Sequence, residues 1–253
     1  MYESNLKEHL VNRILMRVEM PAQYIGGEWN MVRKDPRSVR GRLCLAFPDA
    51  YTIGMSHHGL QVLYSLMNAR DDWYCERVFT PWPDMEDRLR EAGLPLYSLE
   101  TFTPLAEFDV LGFSLQYEIC YTNLLTMLDL GGIPLRADQR TMHHPLVIAG
   151  GPCTQNPEPL APFIDVFVTG DGEPSLPQLC DLWKELRTAC WAEGGGGGPK
   201  RRGGSSESKC WPRSRRGCRS PTSRGSTSRS ISRAVSSGFT APAPRSRKRS
   251  PPA

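Results

Sequence analysis

Residues 144–173 read HPLVIAGGPCTQNPEPLAPFIDVFVTGDGE and give the clearest indication of the fold class. The segment holds two short apolar runs, residues 145–149 and 163–168, and each run ends in a glycine turn. Runs that are apolar on both faces are typical of strands in a parallel sheet covered by helices on both sides. Open α/β sheets bind ligands at the carboxyl ends of their strands, so the pair of turns predicts a ligand-binding edge. Taken alone, each glycine turn is explained equally well as an ordinary strand-to-loop turn.

Outward from this segment, apolar runs and helical periodicity alternate through the first 188 residues. The predicted strands are residues 42–47, 73–79, 95–99, 108–115, 145–149 and 163–168. The predicted helices are residues 4–16, 51–67, 83–92, 119–130 and 174–188. Strands that alternate with helices predict an α/β fold with a doubly wound parallel sheet.

The charge of the chain changes sharply near residue 190. Residues 1–189 contain 16 Lys and Arg against 25 Asp and Glu, whereas residues 190–253 contain 15 against 2. Leu, Tyr and Asp are absent from residues 190–253. Such a composition cannot bury enough apolar surface to offset the entropy of ordering the chain, and it predicts a disordered basic tail.

The chain divides into three regions: an N-terminal helix and arm over 1–40, an α/β domain over 41–188, and the tail over 189–253. Two interpretations of the tail remain open. It is a genuine disordered arm, or it is an out-of-frame reading of the next segment, because Arg, Ser, Gly, Pro and Ala all have GC-rich codons. The glycine run at 194–198 is a plausible place for a shift of frame.

Several classes of protein are disfavoured by the sequence. The N-terminus lacks the pattern of a signal peptide, and no run of about 18 apolar residues occurs, so we expect no membrane span. The eight cysteines are scattered without a CxxC pair, which is typical of a reducing compartment. We therefore expect a cytoplasmic protein.

The predicted carboxyl edge gathers four groups of polar and glycine residues: Asp49, Tyr51, Gly54, Ser56, His57 and His58; Ser114, Gln116, Tyr117 and Glu118; residues 150–152; and residues 170–173. Adjacent histidines on a helix point about 100° apart, so a solvated or capping role is favoured over one shared metal. Asp171 and Glu173 suit a helix N-terminus better than a metal. We assign no catalytic or metal-binding residue, and no triad spacing, P-loop or GxGxxG is present.

Five motifs occur in an order that resembles the N-terminal region of a family of radical S-adenosylmethionine (radical SAM) proteins. They are PAQYIGGE at 21–28, FPD at 47–49 followed by IGMS at 53–56, GFSLQYE at 112–118, GGP at 150–152 followed by NPEP at 156–159, and GDGE at 170–173. The resemblance implies a flavodoxin-like fold similar to the cobalamin-binding domain. It also implies that the next domain of the intact protein carries CxxxCxxC, a four-iron four-sulfur cluster and S-adenosylmethionine.

The chain departs from that family pattern in two respects. No cysteine gap fits CxxxCxxC, so we expect this chain alone to lack the cluster and the radical chemistry. The resemblance makes cobalamin a candidate cofactor, but Gly54 and Ser56 stand where a histidine-ligated cobalamin domain carries Asp and His. The predicted cofactor-binding residues are Gly54, Ser56, Ser114, Leu115, Gln116, Gly150, Gly151, Gly170, Gly172 and Glu173.

The sequence supports two functional hypotheses. In the first, the chain is the cofactor- or substrate-binding domain of a radical SAM enzyme and stops before its catalytic barrel. In the second, it is a non-enzymatic α/β module whose Arg-rich tail contacts nucleic acid through phosphates. The five motifs support the first hypothesis, and composition alone supports the second.

Overall fold

The structure, a computed structural model, describes residues 2–193, with side chains from Leu6 to Cys190. Five strands form one sheet: β1 (Gly41–Phe47), β2 (Trp73–Phe79), β3 (Val110–Ser114), β4 (Leu146–Gly150) and β5 (Val166–Val168). Six α-helices connect and cover them: α1 (Tyr2–His9), α2 (Tyr51–Ser56), α3 (His58–Asn68), α4 (Pro83–Ala92), α5 (Tyr121–Leu130) and α6 (Gly172–Glu193).

All neighbouring strands are parallel, in the order β2-β1-β3-β4-β5. Strands β1 and β2 are buried along their whole length, as expected for strands covered on both faces. The order is that of flavodoxin-like doubly wound sheets, in which the connections change direction between β1 and β3. The predicted fold class is therefore confirmed.

Helices cover the two faces of the sheet in two groups. Helices α3 and α6 contact each other and β1, whereas α4 contacts α5 and the helical turn at Leu10–Ile14. The second group shares one apolar cluster with alternate residues of the strands, such as Cys44 and Ala46 of β1. This alternation follows from the two-residue side-chain period of a strand.

The segment 95–99 is not a strand of the sheet, and that prediction is wrong. It lies along the outer edge of β2, where the Leu99 amide donates to the Arg77 carbonyl at 2.9 Å. The next position on the edge is occupied by a side chain, because the Arg77 amide donates to the Glu100 carboxylate at 2.7 Å. Its own bridge is an isolated antiparallel pair between Tyr97 and Pro104. Because the Glu100 side chain takes the place of a backbone acceptor for Arg77, the segment makes only one backbone hydrogen bond with β2 and does not continue as a strand.

Three predicted helices differ from the observed ones. The helix expected at 51–67 is broken at His57, whose backbone is extended and whose Nδ1 accepts from the Leu60 amide at 3.2 Å. The helix expected at 4–16 is α-helical only to His9, and a π turn and a 3-10 turn follow it. The last helix runs to Glu193, five residues beyond its predicted end. The tail assigned as disordered, and its suggested contact with nucleic acid, lie almost wholly outside the described residues.

The amino end of the sheet is fastened to α6 by ion pairs. The Asp109 carboxylate, just before β3, accepts from Lys184 at 2.8 Å and from Arg187 at 2.9 Å. Asp181 accepts from Arg70 and from the indole of Trp73, the first residue of β2, both at 2.9 Å. Helix α6 begins after the carboxyl end of β5, and its residues from Asp181 onward pair with groups at the amino ends of β2 and β3. We call this end the amino edge, and the opposite end the carboxyl edge.

Candidate functional site

The connections leaving β1 and β3 run to opposite faces of the sheet, which makes the gap between their carboxyl ends the topological switch point. In doubly wound sheets the ligand crevice opens at this position. Asp49 follows β1 by two residues and Tyr117 follows β3 by three. Their side chains meet there, because the Tyr117 hydroxyl donates to Asp49 Oδ2. We call Asp49, Ser114, Gln116 and Tyr117 the switch site.

Asp49 holds three strand ends together. Its Oδ1 accepts from the Ala50 amide at 2.6 Å, and its backbone carbonyl accepts from the amide of Thr80, just after β2, at 3.1 Å. The thiol of Cys120 lies 3.8 Å from Oδ2. The carboxylate is half-buried rather than enclosed. It is therefore fixed by the fold and still reachable by a ligand.

The ionisable neighbours of Asp49 stay neutral near pH 7. The hydrogen bond to Asp49 is the main cause that raises the pKa of Tyr117 well above its usual value, with burial second. Burial, aided by the negative charge of Asp49, raises the pKa of Cys120 to about 11. A protonated thiol is a poor nucleophile. The cluster therefore offers hydrogen bonding and one negative charge rather than covalent catalysis.

Five predicted site residues come together beside the switch point. Gln116 Nε2 donates to Ser114 Oγ at 2.9 Å, and the Leu115 amide donates to the Gly150 carbonyl at 2.8 Å. Gly151 has φ +103°, and a Cβ there would lie 2.5 Å from the Leu115 carbonyl oxygen. Glycine at position 151 thus allows its backbone to pack closely against the turn at Leu115. The side chains of Ser114 and Gln116 form the accessible part.

The sequence of residues 59–194 matches a family model described as "Radical SAM proteins, N-terminal". The chain belongs to this family. An uncharacterised protein of Methanocaldococcus jannaschii is 32% identical to it over 90 residues, which is 35% of this chain and 18% of that relative. The aligned part of the chain thus spans less than a fifth of the relative's length. No solved structure matches the sequence.

Two other predicted site residues of this radical SAM N-terminal domain have local structural roles in α2. A Cβ at Gly54 would lie 2.2 Å from the Phe79 ring, so the glycine lets α2 pack against β2. The Ser56 hydroxyl donates to the Ile53 carbonyl at 2.9 Å. The capping role expected for a histidine in this loop is filled by His57, whose Nδ1 caps α3. Neither Gly54 nor Ser56 presents a free polar group to the switch point.

The remaining predicted residues, Gly170, Gly172 and Glu173, lie beyond β5, with β4 between them and the switch point. Gly172 packs on Leu63, where a Cβ would lie 3.2 Å from the leucine side chain. Glu173 is in the first turn of α6, the position at which a carboxylate stabilises a helix. The structure thus separates this group from the switch site.

The carboxyl edge of the domain is acidic. The segments that directly follow the five strands contain four carboxylates and no Lys or Arg; these segments are 48–56, 80–82, 115–120, 151–156 and 169–173. Basic side chains pair with phosphate in many protein sites, and these segments supply none. Among the described residues no group of three or more His, Cys, Asp or Glu is placed to hold a metal ion.

The donor set does not fit a histidine-ligated cobalamin. Nδ1 of His57 is already bonded to the Leu60 amide, and its ring lies 5.1 Å from the ring of Phe47. His58 lies on the exposed first turn of α3. We therefore assign no chemical step in this domain to cobalamin.

Sequence reasoning missed two contributors to the site. Cys120 contacts Asp49, and the Asn123 amide donates to the Pro48 carbonyl at 3.0 Å, which anchors α5 to the end of β1. Both follow Tyr117 at helical spacing, three and six residues later, and this periodicity was the available signal. In the part of the chain from residue 2 to 193, no helix is both long and apolar enough to cross a membrane.

Proposed function

We propose that this chain is the ligand-binding N-terminal domain of a radical SAM protein and that it binds a small-molecule substrate or cofactor at the switch site. The iron–sulfur cluster and S-adenosylmethionine belong, in this proposal, to the rest of the intact protein. The cysteines of this chain never reach CxxxCxxC spacing. Membership of the family and the position of the switch site support this division of roles.

The observation that carries the proposal is the pairing of Asp49 with Tyr117. A carboxylate and a phenol from two loops, 68 residues apart in sequence, meet at the point where flavodoxin-like sheets bind ligands. Ser114 and Gln116 add a hydroxyl and an amide beside them. The negative charge of Asp49 and the lack of Lys and Arg in the surrounding segments favour a neutral or cationic ligand with hydrogen-bond donors.

The test maps small-molecule binding on the full chain by NMR. Hydroxocobalamin and a library of neutral and cationic fragments serve as probes, and amide shifts are followed during titration. We expect the shifts of binders to concentrate at residues 49–50 and 114–118. Tyr117→Phe should weaken binding about tenfold or more, since a hydrogen bond to a charged group contributes roughly 1.5–3 kcal/mol.

The matched control is Tyr74→Phe, which removes one tyrosine hydrogen bond, to the Val32 carbonyl, from a different part of the domain. This variant should leave the binding constants unchanged. Binders that map only to other surfaces, or that bind Tyr117→Phe as tightly as the wild type, would contradict the proposal.

A further inference from the structure

A small cavity lies at the carboxyl end of β2, apart from the switch site. It is lined by Gln23 and Tyr24 of the arm at residues 21–30, by Tyr51, by Phe79, and by Tyr97 on the segment that edges β2. Its volume is about 20 Å³, room for about one water molecule or one ammonium group. We call it the arm pocket; the motif PAQYIGGE supplies Gln23 and Tyr24, and Tyr51 comes from the loop after β1.

The walls of the arm pocket are aromatic and apolar, and their hydroxyls are already bonded. Tyr24 accepts from the Trp82 amide at 3.1 Å, and Tyr97 donates to the Tyr24 carbonyl at 3.2 Å. Tyr51 donates to Glu28 Oε1 at 3.2 Å. Burial is the main cause that raises the pKa of all three phenols, so they stay neutral at physiological pH.

Two buried oxygens of the arm lack a hydrogen-bond partner among the described residues. Gln23, only 4% exposed, lines the pocket and leaves its Oε1 unpaired. Glu28 leaves its Oε2 unpaired beside the oxygen that accepts from Tyr51. Buried polar atoms are almost always bonded in native proteins, so each exception needs an explanation, such as a bound water, ion or ligand. Both atoms are acceptors, so the missing partner is a donor.

The backbone of the arm is shaped to close this pocket. Gly26 has φ +65°, and a Cβ there would lie 2.4 Å from the Leu99 carbonyl oxygen. Only glycine allows the arm to approach the 96–99 segment this closely. The pocket is therefore formed by specific residues of the arm and is not an incidental gap between helices.

We infer that the arm pocket binds the ammonium group of an alkylamine, with its short apolar stem packed against the aromatic side chains. An ammonium group supplies three donors and is the size of the cavity. Its charge complements Glu28, whose carboxylate lies behind the wall residue Tyr51 and accepts from its hydroxyl. Aromatic rings favour a cation over a neutral group of the same shape. A free amine and a lysine side chain of a partner share this chemistry.

The test titrates the full chain with n-butylammonium chloride and with n-butanol at equal ionic strength, following the Gln23 and Tyr24 NMR signals. We expect the ammonium to bind at least tenfold tighter than the alcohol. Glu28→Gln should abolish this preference, and Gln23→Met, which conserves volume, should weaken ammonium binding at least fivefold. N-acetyl-lysine methylamide, compared with butylammonium, identifies the source, since the tighter binder is the nearer mimic.

Controls on the exposed first turns of α6, Gln178→Met and Glu173→Gln, should leave both affinities unchanged. Tyr117→Phe should also leave them unchanged, so that failure of this inference is separable from failure of the proposed function. Equal binding of butanol and butylammonium, or folded Gln23→Met and Glu28→Gln variants that bind the ammonium like the wild type, would show that the pocket holds only a water.

Discussion

The amino edge and the carboxyl edge of the sheet differ in whether their carboxylates are paired with basic side chains. At the amino edge Asp109 and Asp181 each accept hydrogen bonds from two side chains, and these hydrogen-bond partners lie on or beside α6 or β2. At the carboxyl edge Asp49 is bonded to a neutral phenol, and the segments after the strands supply no Lys or Arg to pair it.

This difference fits the proposed function, in which one end of the domain supplies stability and the other end binds the ligand. Charges at the amino edge are neutralised within the chain and fasten the last helix to the sheet. Charges at the carboxyl edge remain available to a partner from outside. If the carboxyl edge binds a ligand as proposed, its uncompensated charges do not stabilise the fold, and the paired charges of α6 are the polar contacts expected to do so.

Asp109→Ala should produce the largest effect, because it removes the carboxylate that Lys184 and Arg187 share. Arg187 is buried, and removing one partner from a buried ion pair costs about 3–5 kcal/mol of unfolding free energy. Urea denaturation monitored by circular dichroism measures the change. Glu118→Ala, an exposed carboxylate at the carboxyl edge, is the control and should stay within about 0.5 kcal/mol of the wild type. Equal losses in the two variants would end the distinction between the edges.

Gly151→Ala should destabilise the carboxyl edge by about 1–3 kcal/mol, because it combines a left-handed backbone with a clash against Leu115. The control is Gly112→Ala in β3, where an added Cβ would make ordinary contacts at 3.5 Å with Leu45 and Ile148. Thermal unfolding of the two variants should separate them clearly. If Gly112→Ala proved the more damaging, the turn at 150–151 would not be tightly packed against Leu115.

The buried pair of Arg77 and Glu100 lies between the two edges and tests whether burial alone makes a charge costly. Burial raises the pKa of Glu100 from 4.5 to about 7 despite its bonds to Arg77. The folded state therefore holds a proton that the unfolded state releases above pH 4.5. Stability from this group is present at low pH and lost as the pH rises towards 7, by up to about 1.4 kcal/mol per pH unit.

Chemical denaturation between pH 4.5 and 8 measures this dependence. Glu100→Gln cannot titrate, so its stability should vary less with pH in that window, although its absolute stability is lower because Arg77 loses its partner. Parallel pH profiles for the wild type and the variant would mean that Glu100 keeps an ordinary pKa in the fold.

The smallest effect concerns reactivity and leaves stability unchanged. Cys120 is buried beside Asp49 with its pKa raised to about 11, whereas Cys190 is exposed on α6. At pH 8 the thiolate fraction of Cys120 is about 0.001, so iodoacetamide should alkylate it at least tenfold more slowly than Cys190. Mass spectrometry of tryptic peptides gives both rates. Comparable alkylation of the two thiols would indicate an open and less structured switch site.

The elements that the sequence predicted well are those with uniform burial or clear start and stop residues. Residues 73–79 and the helix at 83–92 match the structure in their bounds, because one is buried throughout and the other has Pro at its start and Gly after its end. The segment 95–99 was predicted as a strand from its apolar residues, but apolar residues indicate burial and do not show whether the backbone pairs in a sheet. Only the fold reveals that Glu100 occupies the edge of β2 beside it.

The location of the candidate site could be predicted from the sequence, but the contact between its residues could not. Glycine turns and polar residues after the strands located it at the carboxyl edge, and Asp49 and Tyr117 were both among the residues expected there. Their hydrogen bond could not be foreseen, since it depends on β1 and β3 being neighbours in the sheet. Gly54 and Ser56 carried motif spacing alone, and spacing does not show that one packs on Phe79 and the other bonds its own helix.

The position of α6 also constrains how the domain is made. Asp181 bonds to Arg70 across 111 residues, and Arg187 bonds to Asp109 across 78. Strand β1, at the centre of the sheet, leaves the ribosome early. The amino edge of the sheet cannot form its ion pairs until α6 has been translated. At roughly 5–20 residues per second, the nascent chain waits several seconds in that state. During synthesis the amino edge of the sheet is therefore exposed until α6 is available, and a chain that stalls before Asp181 is left with the same exposed edge.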